Sequence, residues 1–97
     1  MLSLQYPHTL VWVVVKMERN RLFWACRRGM LELDLILLPF LEQIYPTLEE
    51  DDQRRFQLLL ECEDQDMFKW FLRRENPEAP ELLKIVQIIR DTRQQLV

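Results

Sequence analysis

Glycine is nearly absent from this 97-residue chain, which contains only Gly29, whereas average usage would supply about seven. Phosphate-binding loops of the G-x-G-x-x-G or G-x-x-x-x-G-K type need several glycines close together and are therefore excluded. Sandwiches and barrels of many strands need more turn-forming glycine than the chain holds. Because 48% of the residues are hydrophobic and 30% are charged, a disordered chain is excluded as well. The composition predicts a small single-domain all-α protein.

Histidine and cysteine are also scarce. His8 is the only histidine, so the body of the chain offers no partner for a Ser–His or Cys–His catalytic pair. Cys26 and Cys62 are too few for a disulfide framework and too far apart for a C-x-x-C zinc or redox motif. Free cysteines in apolar, helix-like stretches usually pack as small buried hydrophobes. We predict a protein that is not an enzyme, binds no metal and keeps both thiols reduced in the cytoplasm.

The charge balance argues against nucleic acid. The formal net charge is −3, and residues 49–66 alone carry eight carboxylates against two arginines. An acidic chain lacks the basic surface that dominates nucleic-acid affinity. No apolar run reaches the roughly 20 residues that cross a bilayer. We therefore predict a cytoplasmic monomer with no nucleic-acid partner and no membrane insertion.

The first 16 residues stand outside the helical pattern. Their valine-rich run favours extended structure, and they lack both the basic start and the cleavage site of a secretory signal. The helical pattern begins at Met17. We interpret residues 1–16 as a tail that lies upstream of the natural start, and residues 17–97 as one five-helix domain.

The apolar spacing predicts two helices in the first half of that domain. The first should stop at Gly29, with two arginines in its last turn, because glycine tolerates the left-handed conformation beyond a helix end. The second should run from about Leu31 to Tyr45 and be kinked at Pro39. It is apolar on most sides, which is typical of a central helix.

Three further helices follow, each with its own start signal. Thr47 precedes Glu50 by three residues, which is the spacing of a capping box at the start of the third helix. Asp64 or Asp66 is placed to cap the fourth. Pro80 suits the first position of the fifth, where a missing amide hydrogen costs nothing.

The unusual local feature is the run from Arg27 to Asp34, Arg-Arg-Gly-Met-Leu-Glu-Leu-Asp, which gathers two arginines and two carboxylates at one tight turn. One interpretation is a helix corner whose charges are solvated or paired, at about 0–1 kcal/mol for each surface pair. The other is a charged patch for a protein partner, with Arg28 as a planar donor and Glu32 accepting or orienting it. The residues alone leave the two interpretations even.

The aromatic residues divide in the same way. Phe68 and Phe71 stand at helical spacing, which is typical of core positions. Trp24 and Trp70 are harder to place. Trp24 would border the arginine turn and is suited to anchor an interface.

One series of motifs resembles the succinate dehydrogenase flavinylation factor family, of the bacterial SdhE/YgfY type. An R-G-x-x-E motif alone would be a weak signal, but the longer form W-x-C-R-R-G-x-x-E-L-D is specific. The resemblance covers roughly residues 18–93. It rests on Trp24-Ala25-Cys26-Arg27-Arg28-Gly29-Met30-Leu31-Glu32-Leu33-Asp34, then Pro39-Phe40, then Leu59-Leu60-Glu61-Cys62 with Phe68 and Trp70.

The resemblance implies a small five-helix assembly factor. Such a factor binds the flavoprotein subunit of succinate dehydrogenase, and that of the related fumarate reductase, and promotes covalent attachment of FAD to a histidine of that subunit. The FAD is then bound to the client, and the factor itself holds none stably. The resemblance also implies six partner-binding residues, three in the motif and three beside it: Arg28, Gly29 and Glu32, then Arg27, Trp24 and Asp34.

A partner of this kind needs no chemistry of its own, because preferential binding shifts the client toward one conformation. We expect the Arg28/Glu32 corner to dock on the immature flavoprotein, and Arg28→Ala or Glu32→Ala to abolish flavinylation with the helical fold intact. Two alternatives stay open. One is a direct FAD carrier or transferase, which the missing phosphate loop disfavours. The other is an antitoxin-like regulatory interaction protein.

Overall fold

The computed structural model describes residues 19–96. The predicted tail of residues 1–16, with His8, lies outside the described residues. Within them the chain is all-α and contains no strand, as the composition predicts. The five α-helices are α1 Arg19–Cys26, α2 Leu31–Pro39, α3 Glu50–Leu59, α4 Asp64–Phe71 and α5 Pro80–Leu96. None of these helices is long and apolar enough to span a bilayer.

The helical path of α2 continues beyond Pro39 with a changed pitch. A π-helical turn, Phe40–Ile44, and a 3-10 turn, Tyr45–Thr47, follow it directly. Proline has no amide hydrogen to donate to the preceding turn, and local changes of pitch are a common result. The predicted helical segment from Leu31 to Tyr45 is confirmed in extent, and its irregularity at Pro39 takes the form of this wider turn.

The core is one continuous cluster to which all five helices contribute. The ring centroids of Phe40 and Phe56 are 5.2 Å apart, and those of Tyr45 and Phe56 are 5.3 Å apart. These contacts attach the turns after α2 to α3. The fully buried side chains are Cys26, Leu33, Leu37, Phe40, Leu41, Phe56, Leu59, Met67, Ile85, Val86 and Ile89.

Two of the predicted helix starts are wrong in detail. The hydroxyl of Thr47 does not cap α3 with Glu50, because it donates backward to the Ile44 carbonyl over 2.7 Å. Neither Asp64 nor Asp66 caps α4, since both lie inside its first turn. Their negative charge still suits the positive end of that helix.

The last helix is held by an arginine as well as by its apolar face. Pro80 opens α5, as predicted. Arg90 of α5 donates to the Trp70 carbonyl over 2.8 Å and to the Glu75 carbonyl over 2.9 Å. Trp70, which the sequence left unplaced, is buried. This arginine ties α5 to the chain that leaves α4.

Candidate functional site

The motif residues from Arg27 to Met30 form the turn between α1 and α2. Gly29 has φ +79°, in the left-handed region that favours glycine. Apart from Gly29 and its two chain neighbours, no heavy atom of the described structure lies within 4 Å of the place where a Cβ would stand. The backbone conformation, and not crowding, therefore makes glycine suitable here. The prediction that Gly29 makes the turn is confirmed, but α1 ends earlier, at Cys26, so the two arginines lie beyond its last turn.

The side chain of Arg28 points into the protein and is only 16% exposed. Its Nε donates to Asp64 Oδ1 over 2.7 Å. Its two terminal nitrogens donate to three carbonyls, those of Ala25 at 2.7 Å, Leu60 at 2.9 Å and Cys62 at 2.8 Å. These acceptors belong to the end of α1, the end of α3, the following loop and the start of α4. We refer to Arg28 with these four partners as the Arg28 clasp.

Asp34 holds the same turn from the side of α2. Its Oδ1 accepts the backbone N–H of Arg28 over 2.8 Å, and its Oδ2 lies 3.8 Å from Arg27 Nε. The carboxylate is largely buried, whereas the Arg27 side chain is half-exposed. Asp34 therefore shapes the turn from within, and Arg27 lies on its outer side.

The expectation that Glu32 accepts or orients Arg28 is wrong. The Arg28 guanidinium is directed to the clasp, which takes its donors away from the surface. Glu32 is exposed, and no hydrogen bond or ion pair joins its side chain to another described residue. The two charged ends of the R-G-x-x-E motif thus face different surroundings.

Glu32 borders an apolar groove between α2, α4 and α5. The groove has a volume of about 390 Å³ and is lined largely by apolar side chains, including Leu35, Phe68 and Ile89. Arg93 contributes a second charge to its lining. We refer to this feature as the Glu32 groove. Its size falls within the range of sites that take a small ligand or a protruding side chain.

Large apolar side chains stand exposed beside these charges. Leu31 and Leu35, one helical turn apart on α2, are 68% and 65% exposed. The prediction that α2 is central on most sides is wrong on this face. Trp24 of α1 is 65% exposed, and its ring lies edge-on to Phe23, with the Arg27 guanidinium carbon 5.9 Å from the ring centroid. A guanidinium over the face of a ring at this distance is weakly attracted to it, so Arg27 helps to hold the Trp24 ring in place.

The six site residues predicted from the sequence therefore fall into two groups, those exposed to solvent and those that hold the turn. Trp24, Arg27 and Glu32 are exposed, whereas Arg28 and Asp34 hold the turn from within and Gly29 makes its bend. Three residues of the same region were not predicted, namely Asp64, Leu31 and Leu35. Leu31 and Leu35 lie on the same helix face as Glu32, and a helical wheel of the sequence shows this arrangement. Nothing local in the sequence pairs Asp64 with Arg28, since 36 residues separate them.

The two cysteines have the properties of packing residues. Burial raises the pKa of Cys26 to about 12. Burial, and then the negative charge of Asp66, raise the pKa of Cys62. A raised pKa leaves little thiolate at neutral pH, so neither residue has the character of a nucleophile. No cluster of metal-ligating side chains occurs among residues 19–93.

Comparison with known proteins establishes the family. The model of the family described as flavinator of succinate dehydrogenase matches residues 20–93, which include nearly all of the five helices. The chain belongs to this family. The resemblance drawn from the motif residues is thereby confirmed.

Several curated relatives match over most of their own length. The chain is 56% identical to the FAD assembly factor SdhE of Pseudomonas putida over 79 residues, which are 81% of this chain and 94% of that protein. It is 55% identical to the FAD assembly factor SdhE of Pseudomonas aeruginosa over 74 residues, 76% of this chain and 88% of the relative. With the FAD assembly factor SdhE of a Serratia species it shares 46% identity over 73 residues, 75% and 83% of the two chains.

Proposed function

We propose that this chain is an assembly factor that binds the flavoprotein subunit of succinate dehydrogenase and promotes covalent attachment of FAD to it. The observation that carries the proposal is the family match, which extends over residues 20–93, together with relatives that are named FAD assembly factors. The proposal extends to the flavoprotein subunit of the related fumarate reductase. We further propose a cytoplasmic monomer.

The exposed side chains favour an interaction surface. Four large apolar side chains are exposed in the described part, and three of them, Trp24, Leu31 and Leu35, belong to α1 and α2 beside the motif turn. Exposed apolar groups bordered by charges are typical of protein-binding sites. Tryptophan and arginine are the residues that most often carry binding energy at such sites. We assign the client-facing role to Trp24, Arg27 and Glu32 with the two leucines.

According to this proposal, the factor acts through binding alone. The client supplies the histidine that receives the flavin, and the FAD stays with the client. A partner that binds the flavinylation-competent arrangement more tightly than the others raises its population by the ratio of the two affinities. A tenfold preference, about 1.4 kcal/mol, shifts the equilibrium tenfold. No nucleophile or metal of the factor is required for this effect.

Glu32 offers the sharpest test, because its side chain bonds to no other described residue. The flavoprotein subunit is expressed with and without this chain in a host that lacks a flavinylation factor. Covalent flavin is then read as fluorescence of the client band in a denaturing gel. We expect the wild-type chain to raise the signal and Glu32→Ala to lower it with an unchanged circular dichroism spectrum. Glu42→Ala, which removes another exposed carboxylate of the same helical segment, is the matched control.

The outcomes separate the proposal from its alternatives. A wild-type chain that leaves client flavinylation unchanged would overturn the proposed function. Saturable binding of FAD to the purified chain would favour a direct carrier. Pull-down from a lysate that retains another protein in place of the flavoprotein subunit would favour the antitoxin-like regulatory role.

A further inference from the structure

The first helix is short and packs on the core with only a few side chains. α1 is eight residues long; Leu22 and Cys26 are buried along it, and Phe23 and Ala25 pack against the core while partly exposed. The helix is also joined to α2 by an exposed turn around Gly29. The orientation of Trp24 and Arg27 therefore depends on polar contacts at the end of α1 as well as on the burial of Cys26.

The Arg28 clasp supplies these polar contacts. One guanidinium binds the Ala25 carbonyl at the end of α1 and the Leu60 and Cys62 carbonyls beyond α3. The four acceptors approach a single planar group from chain segments that lie more than 30 residues apart. Because a guanidinium is rigid and its donors have fixed directions, it sets both distance and angle between these segments.

Asp64 is the only acceptor of the clasp that carries a charge. The three carbonyls satisfy donors of Arg28 but cannot neutralise it, whereas the Asp64 carboxylate lies 2.7 Å from Nε. Hydrogen bonds between two charged groups are about twice as strong as neutral ones. The Arg28 side chain is largely buried, so removal of the carboxylate would leave a desolvated cation with neutral acceptors alone.

We propose that Asp64 is a positioning residue for client binding, which acts through Arg28 to hold the α1–α2 turn so that Trp24, Arg27 and Glu32 are presented together. The inference rests on the proposed function. It also assigns the motif arginine to the support of the binding surface, and the exposed residues to the surface itself.

The experiment compares two neighbouring aspartates. Asp64 and Asp66 both lie in the first turn of α4, so Asp64→Ala and Asp66→Ala remove the same charge from the same helix end, but only Asp64 bonds to Arg28. The affinity of each variant for the purified flavoprotein subunit is measured by titration at a low temperature where circular dichroism shows all variants to be folded. We expect Asp64→Ala to weaken binding at least about fivefold, and Asp66→Ala less than about twofold.

A double-mutant cycle tests the route through Arg28. If Asp64 acts through Arg28, the Arg28→Lys/Asp64→Ala double variant binds no more than about twofold more weakly than the weaker single variant. Glu32→Ala combined with Asp64→Ala is expected to bind more weakly than either single variant but by less than the product of the two single losses, because Asp64 acts in part by presenting Glu32. Asp64→Asn retains an acceptor oxygen and is expected to recover part of the affinity, which keeps the test informative where Asp64→Ala folds poorly.

Each result has a definite meaning. Asp64→Ala binding as tightly as Asp66→Ala overturns the inference and leaves the proposed function standing. Additive losses in the Arg28→Lys/Asp64→Ala cycle overturn the route through Arg28. A wild-type chain that does not bind the flavoprotein subunit overturns the proposed function and this inference with it.

Discussion

Arg28 Nε and Asp64 Oδ1 lie 2.7 Å apart, although 36 positions separate the two residues in the chain. The pair joins the turn that follows α1 to the first turn of α4. Glu32, at the other end of the R-G-x-x-E motif, is exposed and borders an apolar groove. A motif that reads as one unit in the sequence therefore contains residues of two kinds, one kind supporting the turn and the other facing outward.

Arg28→Ala is expected to lower the free energy of unfolding by about 2–4 kcal/mol, because three carbonyls and a carboxylate lose their donor together. A domain of this size has about 5–10 kcal/mol of stability in total. The loss is therefore large enough to reduce client flavinylation through the fold alone, so the expectation that Arg28→Ala leaves the helical fold intact is corrected for this residue. Urea denaturation followed by circular dichroism measures it.

The matched control for that variant is the neighbouring arginine. Arg27 is half-exposed, and its ion pair with Asp34 has a 3.8 Å separation, so Arg27→Ala should cost less than about 1 kcal/mol. Equal losses of stability in the two variants would contradict the inward role of Arg28.

Gly29→Ala is expected to cost about 1–2 kcal/mol, since a residue with a Cβ is disfavoured at φ +79°. The space around the Cβ position is open, so the size of the new side chain should matter little. Gly29→Asn should therefore be no worse than Gly29→Ala, because asparagine tolerates the left-handed region better. Thermal unfolding by calorimetry compares the two variants. A much larger loss for asparagine would indicate crowding in place of backbone strain.

Much of the fold could be predicted from local signals. The helical spacing of apolar residues predicts five helices, Pro80 marks the start of the last one, and Gly29 marks the turn between the first two. Each of these signals acts within a few residues of the feature it sets. The irregular turn after Pro39 also has a local cause, because proline lacks the amide hydrogen that would bond to the preceding turn of the helix.

The features that depend on distant contacts could not be predicted. Thr47 has the spacing of a capping box, but its hydroxyl finds a nearer acceptor in the Ile44 carbonyl. Its apolar side chain makes Leu35 look like a core residue, but it is mostly exposed. Hydropathy shows that a side chain favours burial and does not show which neighbours the fold provides. The pairing of Arg28 with Asp64 depends on α3 and α4 returning to the first turn, which no short window of sequence contains.

Leu35→Glu is expected to reduce client flavinylation severalfold and to change stability by less than about 0.5 kcal/mol. The side chain is mostly exposed, so little apolar burial is lost. A carboxylate placed in the lining of the Glu32 groove would, however, oppose docking of an apolar client surface. In-gel flavin fluorescence and the thermal midpoint are measured together.

Leu58→Glu is the matched control for Leu35→Glu. Leu58 is also an exposed leucine, but it lies on α3 among charged neighbours that include Arg54, Arg55 and Glu81. We expect it to retain full flavinylation. A loss as large as that of Leu35→Glu would mean that the client-facing surface is not the one beside Glu32.

Stability should fall as the pH rises from 9 to 10, with Cys26 as one cause. Burial raises the pKa of this thiol from its ordinary value of 9.0 to about 12. In this window the unfolded chain loses a proton that the folded protein keeps, so the free energy of unfolding decreases with pH. The slope from this residue approaches about 1.4 kcal/mol per pH unit at the upper end. Urea denaturation at a series of pH values measures it.

Cys26→Ala isolates that contribution. The variant is less stable at pH 8 because it leaves a small cavity, but its stability should fall less steeply between pH 9 and 10 than that of the wild type. The window ends at the ordinary pKa of Tyr45, 10.0, because burial raises the pKa of that phenol too and adds a slope of the same sign above it. Cys62→Ala should flatten the curve less, since its thiol is only partly buried. An equal slope in the wild type and Cys26→Ala would show that the thiol ionises as readily in the folded protein as in the unfolded chain.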